Sequence, residues 1–313
     1  ERDDFAELVT IVAERRGIPD PAIVEKDYFV TEALRAIAKD FGDVVIFKGG
    51  TSLSKGWDLI HRFSEDIDLY VAPADTKPET RARFEAIANS VATFPGFTGR
   101  TGRRDQGSSS WEEEFTFETR QPTSTISPNV LLEAGIQSAN QPTESRPLIS
   151  LLAQELNAEN APIETRDRNP FDMELLHFRR TFVEKLFTIH TRVEMMLESE
   201  VPIERYTRHY YDLAMLIDRP EVQDMLRSEE YALICSEYRD LTERFYSRQA
   251  KLLPENMNLS ESSAIFPTGE LRRLLSAAYT RQCDTLCYGD YPQFEAVLAQ
   301  FEAIRAQIAM AAD

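Results

Sequence analysis

The stretch from Val44 to Val71 constrains the fold more than any other part of the chain. Val44-Val45-Ile46-Phe47 is a short apolar run, rich in β-branched residues and bounded by Gly42 and by Gly49-Gly50. That is the pattern of a buried strand running into a turn. Thr51 to Ile60 then reads as a helix, and Asp66-Ile67-Asp68-Leu69-Tyr70-Val71 alternates polar and apolar residues with period two until Pro73 stops it. Such alternation describes a strand with one apolar face.

The flanking segments extend this core. Helices are expected from Asp4 to Arg16 and from Pro21 to about Ala38, separated by Gly17-Ile18-Pro19, and a third from Thr80 to Ala92. Trp111 to Thr119 and Val130 to Ile136 are further strand candidates. Gln141 to Pro147 reads as a polar connection, after which helical periodicity dominates, notably over Asp172 to Glu198 and Ile203 to Ile217. Glu255 to Gly269 reads as a loop ahead of helices over Glu270 to Ala278 and Pro292 to Ala311. A chain of 313 residues has room for two ordinary domains. The expectation is an α+β lobe with a mixed sheet over residues 1–146 and a helical bundle lobe over 147–313.

Composition narrows the function classes. Apolar residues make up 42% and charged residues 28%, the balance of an ordinary soluble protein, and no run approaches the about 20 apolar residues of a membrane span. Glu1-Arg2-Asp3-Asp4 lacks the layout of a signal peptide, so cytoplasmic residence without a membrane partner is expected. Cys235, Cys283 and Cys287 have no framework spacing, which predicts reduced thiols rather than disulfides or a zinc finger. A formal charge of −18 repels nucleic acid at long range. A nucleic-acid substrate therefore needs a local basic patch. The arginines from Arg100 to Arg104, from Arg166 to Arg168 and at Arg179-Arg180 are candidates, with scattered solvated arginines as the alternative.

The chemistry concentrates at the glycine turn and the alternating strand. A turn of the form Gly49-Gly50-Thr51-Ser52 opens a helix with unbonded N–H groups, approachable where no Cβ intervenes, and Ser52 adds a hydroxyl for the same anion. Asp66 and Asp68, two apart on a strand, project to one side, where like charges at short range call for a divalent cation or a proton. A solvated sheet edge is the alternative for that pair. The four histidines, His61, His177, His190 and His209, show no ligand or nucleophile-partner spacing and receive no catalytic role. Tyr206, Tyr210 and Tyr211 either stack on a base or pack a helix.

Phe47-Lys48-Gly49-Gly50-Thr51-Ser52-Leu53-Ser54-Lys55, continued by Arg62-Phe63-Ser64-Glu65-Asp66-Ile67-Asp68-Leu69, resembles the core motif of the AbiEii/AbiGii toxin-type nucleotidyltransferases. That family includes the MenT toxins and lies within the DNA polymerase β-like superfamily. Thr181-Phe182-Val183-Glu184-Lys185 and Arg208-His209-Tyr210-Tyr211-Asp212 resemble its two later motifs, each pair four apart on a helix face. The resemblance covers roughly residues 20 to 220. By structure alone, Arg208 and Asp212 are an i,i+4 ion pair and Lys185 a solvated lysine.

The resemblance implies the polymerase β-like fold and transfer of a nucleoside monophosphate from an NTP, with pyrophosphate released. Asp66 and Asp68 are implied ligands of Mg²⁺, two ions in all, with Glu133 the candidate third carboxylate. Lys48, Gly49, Gly50, Thr51, Ser52, Lys185 and Arg208 are implied to hold the nucleotide, and Asp66, Asp68, Lys185 and Asp212 to carry catalysis. It further implies a bacterial toxin–antitoxin or phage-defence role, with a cognate antitoxin and an RNA acceptor, in several members the tRNA 3′ end. The residues leave three alternatives open: a protein or aminoglycoside-type acceptor, phosphoryl transfer, and a catalytically silent binding module.

Overall fold

The computed structural model describes residues 4–64, 66–124, 126–161, 166–199 and 201–309. The chain forms two compact units, one of Glu1–Asp58 with Phe63–Leu176, the other of Leu59–Arg62 with His177–Asp313.

In the first unit α1 (Phe5–Arg16) stops at Gly17, whose φ of 63° is a left-handed C-cap. Helix α2 (Pro21–Phe41) starts at Asp20, whose carboxylate accepts from the Ala22 N–H, with Pro21 at the first helical position. There follow β1 (Val45–Lys48), α3 (Gly49–Lys55), β2 (Asp66–Val71) and α4 (Lys77–Ala92), the last opened by a capping box between Thr76 and Glu79. Strands β3 (Phe97–Asp105), β4 (Ser110–Phe117), β5 (Asn129–Gly135) and β6 (Thr143–Leu148), helix α5 (Leu151–Ala158) and strand β7 (Phe171–Leu176) complete it.

These strands make one mixed seven-stranded sheet in the order β3-β4-β5-β2-β1-β7-β6. The β2–β5 and β1–β7 pairs are parallel and the others antiparallel. Helices α2 and α4 pack on one face, which buries Ile67, Leu69 and Val71 of β2, Val130, Leu132 and Ala134 of β5, and Trp111, Phe115 and Phe117 of β4. Fully burying side chains of this size contributes about 1.5–3 kcal/mol each. A one-residue slip of β2 would turn that row outward and drive Asp66 and Asp68 into the core, so the apolar alternation fixes which face carries the carboxylates.

The second unit is helical: α6 (Phe178–Ser199), α7 (Arg208–Ile217), α8 (Pro220–Leu226), α9 (Glu229–Phe245), α10 (Ser247–Ala250), α11 (Gly269–Leu286), α12 (Phe294–Ala303) and α13 (Arg305–Ile308). Helix α7 packs against α6, α11 and α12. The segment Leu59–Arg62, from the connection between α3 and β2, belongs to this unit, and Arg62 forms an isolated antiparallel bridge with Cys287.

Several elements differ from the expectation. The helix after Gly49-Gly50 ends at Lys55 rather than Ile60. Two strands lie in segments read otherwise: β6 occupies the stretch taken as a connection, and β7 the start of the helix expected from Asp172, so α6 begins at Phe178. Because β7 pairs with β1, the first unit runs to Leu176, whereas the lobes were divided at 146/147. Edge strand β3 was also not expected, being mostly exposed and polar. The last expected helix is interrupted at Ile304, and its end at Ala311 lies outside the described residues. Among the described residues no helix is long and apolar enough to cross a membrane.

Candidate active site

Asp66 and Asp68 stand on the face of β2 opposite α2 and α4, as their alternation with buried Ile67 and Leu69 requires. The parallel register sets Glu133 of β5 directly beside Asp68. Although Glu133 keeps solvent access, partial desolvation together with the negative charges of Asp68, Asp66 and Glu112 pushes its carboxyl up to about 7. On the other side of β2, Lys48 of β1 is in register with Asp68.

The glycine turn closes on the same carboxylate. Gly49 has φ 77°, and a Cβ built there would lie 2.0 Å from Asp68 Oδ2. Only glycine allows both the left-handed backbone and this approach. The hydroxyls of the turn are committed inward: Ser52, wholly buried, donates to the Gly49 carbonyl (2.9 Å) and Thr51 to Ser64 Oγ (3.0 Å). Ser52 therefore braces the turn instead of offering its hydroxyl outward, as the sequence had suggested. Ser64, absent from the candidates, enters through this contact, and Glu65 of the motif lies outside the described residues.

Lys185, Arg208 and Asp212 lie in the second unit. The wholly buried Asp212 carboxylate is taken by Arg62, through Nε–Oδ1 and Nη2–Oδ2 contacts of 2.6 and 2.8 Å, and by Lys185 Nζ at 2.7 Å. Burial opposes its ionisation, but the charges of Arg62 and Lys185 prevail and hold it well below the usual carboxylate range. Lys185 is buried, not solvated, and burial pulls its ammonium down. Its Nζ also donates to His209 Nδ1 at 3.1 Å, and burial and the Lys185 charge lower that imidazole to about 3. His209 is thus a neutral imidazole at neutral pH, with an Asp212 carboxylate oxygen 3.7 Å from the same Nδ1. Arg62 and His209 were missed as members of this cluster; Arg62 stood in the quoted motif, but its partner is 150 residues away.

The remaining candidates make contacts within the protein. The Tyr210 hydroxyl donates to the Ala264 carbonyl (2.6 Å), Tyr211 accepts from the His61 N–H (3.0 Å), and Tyr206 lies under Arg192. His190 contacts Ser262 Oγ at 2.8 Å. All three cysteines are free thiols. The arginine stretches are engaged within the protein: Arg100 with Glu113, Arg103 with Asp105 and the Trp111 ring, Arg104 with Glu112, Arg168 with Asn157, Arg179 with Glu230, and Arg180 with Glu184 and Glu237. The Arg166 side chain lies outside what is described.

Carboxylate oxygens are the donors that Mg²⁺ prefers, and the open face supplies three on two adjacent strands. As they stand, no three His, Cys, Asp or Glu side chains among the described residues enclose a metal position. The donor chemistry nevertheless fits, because carboxyl groups set side by side on adjacent strands repel one another unless a cation or a proton comes between them.

A mixed sheet with one open face, paired carboxylates on a central strand and a glycine turn against them is the arrangement of an enzyme that transfers nucleotidyl groups. The chain belongs to the family described as "Nucleotidyl transferase AbiEii toxin, Type IV TA system", which it matches over residues 32–300, well past the last motif legible in the sequence. It is similar to MenT4, a nucleotidyltransferase toxin from Mycobacterium tuberculosis H37Rv, at 15% identity and TM-score 0.53, over 97% of this chain and 99% of that one. A second similar structure is JHP933 from Helicobacter pylori, at 16% identity and TM-score 0.44, over 89% of each chain. No curated protein matches.

Proposed function

We propose that the chain transfers a nucleoside monophosphate from an NTP to a hydroxyl of RNA, the tRNA 3′ end being the favoured acceptor, and that it arrests growth by doing so. The observation that carries this reading is the register that sets Asp68 beside Glu133, next to Gly49, on the open face. Asp66, Asp68 and Glu133 hold Mg²⁺, two ions in the full complement. When bound there, the metal activates the acceptor hydroxyl and neutralises charge on the α-phosphate and leaving group. The backbone of Gly49, Gly50 and Thr51, with Lys48, positions the phosphates, so the protein contributes placement and charge rather than a covalent nucleophile. The roles given to Lys185, Arg208 and Asp212 rest on the family's motifs and on the buried cation cluster of the second unit. The toxin acts in the cytoplasm, opposed by a cognate antitoxin, and a phage-defence role is consistent with this activity.

The test is incubation with each α-³²P-labelled NTP, Mg²⁺ and total RNA or purified tRNA. Label is expected in RNA and is lost with Asp68→Ala. Label confined to protein or to a small-molecule acceptor, or transferred only from γ-labelled ATP, overturns the RNA assignment; no label in any fraction overturns the activity itself.

A further inference from the structure

We infer that Arg104 binds a backbone phosphate of the acceptor strand and so helps set how long an acceptor must be, an inference that rests on the RNA reading above. Strand register carries it. Lys48 is in register with Asp68, Asp68 with Glu133, Glu133 with Glu112, and Glu112 with Arg104. Residues directly opposite in a ladder share a face, so five side chains from β1, β2, β5, β4 and β3 form one row across the open side of the sheet. Its order of charge is positive, three negatives, positive.

The row separates Arg104 from its neighbours in sequence. Arg100 turns to the covered face, with both guanidinium contacts on buried Glu113, and Arg103 lies over the buried Trp111 ring at 3.9 Å. Of the three arginines between Arg100 and Arg104, only Arg104 joins the carboxylate face. Its side chain is 73% exposed, and its Glu112 contact, at 3.3 Å, is a solvent-screened pair of the kind that exchanges readily for another anion. A polyanion reaching Asp68 and Glu133 on a chain of charge −18 is repelled unless a local cation receives it. A planar guanidinium suits a phosphodiester.

Spacing makes the inference quantitative. Arg104 is three strands from Asp68, about 14 Å at the usual interstrand distance, which corresponds to about four stacked nucleotides. An acceptor shorter than this cannot span from the reacting hydroxyl to Arg104.

Fluorescence anisotropy with 5′-labelled RNA of two, four, eight and sixteen nucleotides, which leaves the reacting 3′ hydroxyl free, reads binding without requiring turnover. The proteins compared are the unmodified chain, Arg104→Ala, Arg104→Glu and, as covered-face control, Arg103→Ala, each checked for an unchanged melting temperature. For eight- and sixteen-mers, Arg104→Ala is expected to weaken binding three- to tenfold and lower the salt-dependence slope by about one. Arg104→Glu weakens it more, and dinucleotide binding is unchanged. Equal effects at every length, an effect of Arg103→Ala as large as that of Arg104→Ala, or no RNA binding by the unmodified protein overturns the inference. Transfer from α-labelled NTP with Asp68→Asn, measured in parallel, reports on the catalytic reading separately: transfer that persists in Arg104→Glu for short acceptors leaves that reading standing when this one fails.

Discussion

Arg62 and Asp212, 150 residues apart in sequence, form a buried two-pronged ion pair that ties the connection between α3 and β2 to α7. A buried pair offsets its own desolvation only while both partners are present. Arg62→Met takes from Asp212 its two-pronged partner, and Asp212→Leu leaves the buried Arg62 and Lys185 charges facing each other. Each is expected to destabilise the protein by about 3–5 kcal/mol, whereas the double variant falls short of the sum because it removes both members of the pair and leaves only Lys185 without its carboxylate. Urea denaturation of the four proteins measures this, and additive losses would contradict it.

His209 gives the cluster a pH dependence of definite sign. With its folded value lowered to about 3 from 6.5, it stays neutral where the unfolded chain takes up a proton. Its contribution is therefore complete above pH 6.5 and declines as pH falls toward 3. At pH 5 the loss is about 2 kcal/mol relative to pH 7. Asp212 adds no slope there, since its depressed value places its loss below the unfolded carboxylate range. Glu133, raised to about 7, contributes the opposite slope between about 4.5 and 7, reduced by solvent screening. The diagnostic is accordingly the difference between the unmodified protein and His209→Gln, which should shrink from pH 7 to pH 5; a constant difference would count against a neutral His209.

What could be read beforehand follows from where the determining contacts lie. Asp66, Asp68 and the buried face of β2 were legible because alternation is local, and the Gly49 turn because its strand and helix adjoin it. Strand β7 alternates just as cleanly, with Phe171, Met173 and Leu175 against Asp172 and Glu174, but only its pairing with β1 separates it from the helical run that follows. Strand β3 has almost no apolar periodicity and owes its conformation to β4. Arg62 and His209 joined the Lys185 and Asp212 cluster through contacts that no spacing encodes, and the inward direction of the Ser52 hydroxyl depends on the turn it braces.

The glycine turn is testable through one methyl group. Gly49→Ala meets both a φ of 77° and an atom 2.0 Å from the added Cβ, and that atom is an Asp68 carboxylate oxygen. Transfer activity should fall at least a hundredfold, with stability reduced by more than the 1–2 kcal/mol of left-handed strain alone. Gly17→Ala is the matched control, because Gly17 has φ 63° with nothing within 4 Å of the added carbon. It should show the strain cost and full activity. Equal activity losses at the two positions would mean that Asp68 is not what Gly49 protects.

Metal dependence can be read without a substrate. If Asp66, Asp68 and Glu133 hold Mg²⁺ in the folded chain only, added Mg²⁺ stabilises that state by about 2.7 kcal/mol at a concentration one hundred times the dissociation constant. The melting temperature of the unmodified protein should therefore rise with Mg²⁺ and return to its starting value with EDTA. Asp68→Asn removes a ligand charge beside Glu133, so the Mg²⁺ shift should vanish. Its metal-free stability should nevertheless equal or exceed that of the parent, because repulsion between the two carboxyl groups is relieved. Glu112→Gln, one strand further along the same row, should keep the Mg²⁺ shift. Calorimetry of the three proteins with and without the metal separates a site at Asp68 from general screening of a chain of charge −18, because screening would raise all three alike.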